Sequence, residues 1–206
     1  THEIRNTVTP IISLPDHYIN LPSDIAQDEI REGLKIINSQ SHNLKAFLDS
    51  YHTLTHLPEP TFSSISTSQL FSDTVSLLRG EPGGNRIEIL HTNVSINADP
   101  VQMQLLLSNL LRNAIQAIEG YDDGKIVLQA SLSDFQPFIT VTDNGCGIAP
   151  ERIKDIFLPF YTTKEKGSGI GLSLCRQIML LHRGELSVES DPKKRITTFI
   201  MTFPAA

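Results

Sequence analysis

Thr162-Thr163-Lys164, running into Gly167-Ser168-Gly169-Ile170-Gly171-Leu172, follows Asp143-Asn144-Gly145-Cys146-Gly147 and, further upstream, Asn109-Leu110-Leu111-Arg112-Asn113. Each stretch is common alone; together and in this order they describe a nucleotide pocket. Glycines let backbone amides approach phosphates with no Cβ in the way, and the apolar run from Ile170 to Leu181 predicts a helix whose amino end favours anions. The spacing lacks the Gly-Lys-Ser/Thr ending of a Walker loop. It also lacks the strand-turn-helix and later ribose-binding acid of a dinucleotide fold.

Outward from these stretches, the pattern from Thr61 onward alternates between short strands and helices. Ser68 is the expected cap of a helix through Leu78, and Arg86 to Leu90 and Val94 to Asn97 read as a strand pair. Asp99-Pro100 predicts a helix start, and that helix runs to Glu119, where Gly120 ends it. Lys125 to Leu132, Phe138 to Thr142, Glu185 to Glu189 and Ile196 to Phe203 read as strands. Too few strands are joined by single helical crossovers for a doubly wound sheet. The fold class is α+β, with a mixed sheet covered on one face by helices as a two-layer α/β sandwich.

Upstream, Ile30, Leu34, Ile37, Leu44, Leu48 and Tyr51 recur in alternating steps of four and three, with Ser41 filling the one gap. That is a heptad seam on a long helix from Ser23 to about Thr55. Only a short helix from Thr1 to about Leu14 is at hand to cover it. Two copies of this helical hairpin would form a four-helix bundle, so a homodimer through the hairpin is expected. Pro15 and Pro22 bracket the hairpin loop, and Pro58 and Pro60 close the long helix. The expected domains are residues 1–58, for dimerisation, and 59–206, for the nucleotide.

The 206 residues are 39% hydrophobic, and no apolar run approaches the roughly 20 residues that cross a bilayer. The chain opens on threonine with no targeting segment and reads as a piece of a longer protein, any membrane anchoring coming from regions outside it. Cys146 and Cys175 lack metal-type spacing and fit a reducing, cytoplasmic setting. A formal charge of −6 argues against nucleic acid as a partner. Lys193-Lys194-Arg195 reads as a solvated turn.

The ordered motifs resemble the histidine kinase branch of the ATPase superfamily that also holds the Hsp90, gyrase and MutL nucleotide domains. Asn109 to Asn113 is similar to that family's N box, Asp143 to Gly147 to its G1 box, Phe157 to Phe160 to its F box, and Gly167 to Leu172 to its G2 box. Thr1-His2-Glu3-Ile4-Arg5-Asn6 resembles the phosphoacceptor box of two-component sensor kinases. Thr7 stands where the family usually has proline, and Ile196 where a glycine commonly precedes the final Thr-x-Phe. The resemblance implies ATP and Mg²⁺ as cofactors, with Asn113 the metal ligand and Asn109 beside the phosphates. It gives Asp143 the adenine amino group, with Gly145 and Gly147 keeping the pocket open to the base, and Thr197 the completion of the adenine end. Gly167, Gly169, Gly171 and Leu172 would border the phosphates, and Lys164 in the short lid would offer them a point charge.

The same resemblance makes His2 the phosphoacceptor. Histidine attacks only as neutral imidazole, and Glu3 can hold one ring proton so that the other nitrogen is free. Asn6, four residues on, shares the helical face of His2 and could orient a water toward a phosphoaspartate, which implies phosphatase activity toward a response regulator receiver domain. The competing expectations are a clamp-type ATPase, against which the acceptor box and the short lid speak, and a nucleotide-binding signalling scaffold whose histidine is not phosphorylated.

Overall fold

The computed structural model describes residues 8–15, 27–90, 94–163 and 169–205. The chain divides into two compact units, Thr1–His56 and Leu57–Ala206. The first contains helix α1 (residues 8–15) and helix α2 (Gln27–Thr55). On α2, Ile30, Leu34 and Leu48 of the heptad seam are 38%, 58% and 54% exposed, and Ile37 and Leu44 are half-buried. The seam is thus apolar and largely open in the single chain.

The second unit runs β1 (Ser63–Ser66), α3 (Thr67–Leu78), β2 (Ile87–Leu90), β3 (Ser95–Ala98), α4 (Pro100–Ala117), β4 (Ile126–Ser133), β5 (Gln136–Asp143), α5 (Gly171–Leu181), β6 (Glu185–Asp191) and β7 (Ile196–Thr202). Five strands form one sheet in the order β2-β4-β5-β7-β6, while β1 and β3 form a separate ribbon. β2 runs parallel to β4 and every other pair is antiparallel, so the sheet is mixed. Strict alternation sets its two faces. Ile126, Leu128 and Ala130 of β4, Ile139 and Val141 of β5 and Phe199 and Met201 of β7 are buried, with half-buried Val127, Thr140 and Thr198 between them. Leu106, Leu110 and Ala114 of α4 and Cys175 and Ile178 of α5 complete that core. A buried side chain of this size contributes about 1.5–3 kcal/mol.

Local chemistry explains the start of α4. Asp99 takes the cap position, its Oδ1 accepting from Val101 N and Gln102 N, both at 2.9 Å, with Pro100 in the first turn. Its other oxygen accepts from Thr61 N at 2.8 Å, and its own amide donates to His182 Nε2 at 3.0 Å. Buried His182 donates from Nδ1 to Ile178 O, which joins the start of α4 to the end of α5.

Three sequence expectations are corrected. β2 and β3 do not pair with each other: β2 lies beside β4 and β3 beside β1. Alternation in a short strand specifies which face is buried, not which neighbour it takes. Helix α3 begins at Thr67 with Ser66 at the cap position and no side-chain cap, so Ser68 lies inside the first turn. The backbone N and Oγ1 of Thr67 both donate to Val94 O, at 3.0 and 2.9 Å, and that tertiary tie fixes the start instead. Helix α4 ends at Ala117, two residues before Glu119, and Gly120 follows in the left-handed region at φ 81°. Among the described residues no helix is long and apolar enough to cross a membrane.

Candidate functional site

A cleft of about 710 Å³ opens between α4, the carboxyl end of β5, the start of β7 and the amino end of α5. It brings together Asn109, Asn113, Asp143, Gly147, Gly169, Gly171, Leu172 and Thr197. Gly145 packs behind the wall: a Cβ there would lie 2.3 Å from Ala117 O. His2, Glu3, Asn6, Lys164 and Gly167 lie outside the described residues.

Half-buried Asn109 and Asn113 stand one turn apart on α4. Asn109 Nδ2 donates to Leu105 O at 2.9 Å, which directs the acceptor Oδ1 outward. That oxygen is 3.1 Å from where a Cβ of Gly171 would sit, so glycine is what allows α5 to start against α4. Among the described residues the first turn of α5 has no side-chain cap, leaving its amides as donors at the cleft. Gly169, at φ 66°, accepts from Phe160 N at 2.9 Å and pins together the two sides of the 164–168 segment. Arg112 also borders the cleft, and both its Nε and Nη2 donate to Glu81 Oε1 at 3.0 Å.

Asp143 closes the opposite end. It is 3% exposed, stands opposite Thr197 in the sheet register, and accepts from Gly145 N at 2.9 Å through Oδ1. Burial raises its pKa to about 6, against the opposing pull of that hydrogen bond. Ser190 Oγ donates to Ile196 O at 3.1 Å, so the 2.9 Å contact between the two hydroxyls makes Thr197 the donor to Ser190. Ser190 Oγ also accepts from Ile148 N at 2.9 Å and thereby fixes the wall beyond Gly147.

Ser190 carried no sequence signal, because a serine within a polar strand end is unremarkable. Arg195 corrects the solvated-turn reading: Lys193 and Lys194 are exposed, but Arg195 is half-buried, pairs with Asp123 and lies 4.0 Å from the Tyr121 ring centre.

The donor set fits Mg²⁺-ATP. Neutral amide oxygens suit a hard cation that keeps phosphate and water as its other ligands, and the cleft joins them to uncapped helix amides at one end and a buried carboxylate at the other. Asn113 would hold the metal, beside Asn109.

Residues 98–206 match the family described as histidine kinase-, DNA gyrase B-, and HSP90-like ATPase. Over 197 residues, 93% of this chain and 31% of the relative, the sequence is 32% identical to the signal transduction histidine-protein kinase AtoS of Escherichia coli. It is 27% identical over 208 residues to sporulation kinase E of Bacillus subtilis, covering 98% of this chain and 27% of that protein. The chain thus spans less than a third of the length of these curated relatives. Among solved structures, the catalytic domain of histidine kinase ThkA superposes with a TM-score of 0.61 at 27% identity, covering 70% of this chain and 96% of that one. The structure of ThkA in complex with the response regulator protein TrrA shares the fold over 100% of this chain and 59% of that chain, with a TM-score of 0.71 at 24% identity. By its matched sequence and by the cleft that sequence builds, the chain belongs to the histidine kinase-, DNA gyrase B- and HSP90-like ATPase family and carries the ATPase core of a sensor histidine kinase.

Proposed function

We propose that the chain is the catalytic core of an ATP-dependent protein-histidine kinase. It phosphorylates His2 from Mg²⁺-ATP and passes the phosphoryl group to an aspartate of a response regulator. The observation that supports this most is the cleft itself, where paired asparagines on α4, a buried acid on β5 and a glycine-first helix meet. Asp143 accepts the adenine amino group and Thr197 completes that end. Asn109, Asn113, Lys164 and the glycines from Gly167 to Gly171 surround the phosphates, and bound Mg²⁺ supplies charge neutralisation there. Phosphoryl transfer asks little more of a protein than positioning and charge compensation.

At the acceptor, a neutral ring nitrogen of His2 forms the new P–N bond as the bond from the γ-phosphorus to the ADP oxygen breaks, and Glu3 holds the proton on the other ring nitrogen. Asn6 orients water toward the regulator's phosphoaspartate, giving the core a phosphatase activity as well. Two copies assemble through the seam of α2, in the cytoplasm, with any membrane anchor supplied by further segments of a longer protein. Similarity to sensor kinases across 93–98% of the chain supports the acceptor assignment, which lies outside the described residues.

Incubation with γ-labelled ATP and Mg²⁺ tests the reading. The expected product is an acid-labile, base-stable phosphate that maps to His2 and is absent from His2→Ala. Nucleotide binding with no label on the protein would leave a binding scaffold instead, and turnover of ATP without label would leave a clamp-type ATPase.

A further inference from the structure

The end of β6 and the turn into β7 support the Asp143–Ile148 loop from behind at three points. Ser190 Oγ accepts from Ile148 N, a Cβ on Gly147 would lie 2.7 Å from Pro192 Cα, and Arg195 Nη2 donates to Asn144 O at 3.0 Å. Arg195 is itself held on two sides. Nη2 and Nη1 bond Asp123 Oδ1 and Oδ2 at 2.9 and 3.2 Å, and the guanidinium lies over the Tyr121 ring. The residue takes a left-handed φ of 55°, and its Nε is enclosed with no partner among the described residues. Strain and an unsatisfied donor are tolerated together only where the remaining contacts fix the side chain.

We propose that Arg195 is a positioning residue for base recognition, acting on Asp143 through the Asn144–Gly145 peptide. The Asn144 carbonyl and the Gly145 N–H belong to one planar group. Arg195 holds the carbonyl, and the N–H donates to Asp143 Oδ1 at 2.9 Å. A charged donor on the carbonyl polarises the amide and strengthens it as a donor to the carboxylate. Oδ2 of Asp143, with no partner among the described residues, is thereby aimed while it remains available to a ligand. Asn144 adds stiffness, since its side chain accepts from Lys125 N at 2.6 Å and donates to Asp123 O at 2.8 Å. The inference rests on the reading of Asp143 as the base acceptor.

Calorimetric binding of adenosine and of inorganic tripolyphosphate with Mg²⁺ separates the two ends of the cleft. Arg195→Ala is expected to weaken adenosine on the order of tenfold, the worth of one hydrogen bond, and to leave tripolyphosphate unchanged. Asp123→Asn keeps the bond from Arg195 to Asn144 and is expected to lose far less adenosine affinity. Arg195→Lys, which can still donate to that carbonyl, should recover part of the loss. Equal weakening of both ligands in Arg195→Ala overturns the proposal, as does wild-type adenosine affinity in that variant, or a loss in Asp123→Asn as large as that in Arg195→Ala. If Arg195→Ala does not fold, Arg195→Lys is expected to lose more adenosine affinity than Asp123→Asn, and the reverse order overturns the proposal. A wild-type chain that binds neither adenosine nor ATP would overturn the proposed function itself.

Discussion

Burial at the end of β5 makes the Asp143 carboxylate costly to ionise, and a base acceptor needs it ionised. Below about pH 3 the group is largely protonated in folded and unfolded chains alike and costs little. As pH rises, the unfolded chain loses its proton first, near the ordinary aspartate value of 3.8, so the free protein loses stability until the folded group ionises at about 6. Asp143→Asn is therefore expected to stabilise the free protein above pH 6, on the order of 1–3 kcal/mol, with the gain vanishing toward about pH 3 in urea titrations. The same variant should bind adenosine more weakly, and the fall in adenosine affinity as pH drops through about 6 should disappear with it. Asn109, Asn113, Asp143 and Thr197 were legible because their motifs are local strings. Ser190 and Arg195 were not, since each acts on a loop some 40 to 50 residues away, to Ile148 and to Asn144, and no local pattern encodes that distance.

At the scale of elements, the cleft depends on how closely α4 and α5 approach. Gly171→Ala would place a methyl 3.1 Å from Asn109 Oδ1, at the end of the cleft proposed to hold the phosphates. It is expected to weaken Mg²⁺-ATP several-fold while sparing adenosine, as comparative calorimetry would show. Asn113→Ala should behave likewise, whereas Asp143→Ala should weaken both ligands, and equal losses for both in all three variants would contradict the division of labour. Helix α4 could be read in advance because Asp99-Pro100 encodes its own cap. The partners of β2 and β3 could not, since four-residue strands carry a face preference and no address. The start of α3 was missed for a related reason: Val94 O, from another strand, supplies the tie that Ser68 was expected to make.

For the molecule as a whole, Ile30, Leu34 and Leu48 form an apolar line with far more exposure than the core of the ATP unit allows its own leucines. Leu44→Asp would place a carboxylate in that line, costing several kcal/mol in a closed seam. Sedimentation is expected to shift from dimer to monomer while Mg²⁺-ATP binding survives, because the nucleotide site lies wholly within Leu57–Ala206. The strand order of that unit carries a further consequence. β7 is the latest of the described strands in the chain, yet it lies inside the sheet, hydrogen-bonded on both sides, and it carries the residue that faces Asp143. Until β7 inserts, β6 has no place beside β5 and the cleft lacks one wall. Ligand affinity therefore reports the insertion of β7: during refolding, nucleotide binding and amide protection across β7 should emerge with one rate constant, and a chain truncated before Ile196 should bind no nucleotide.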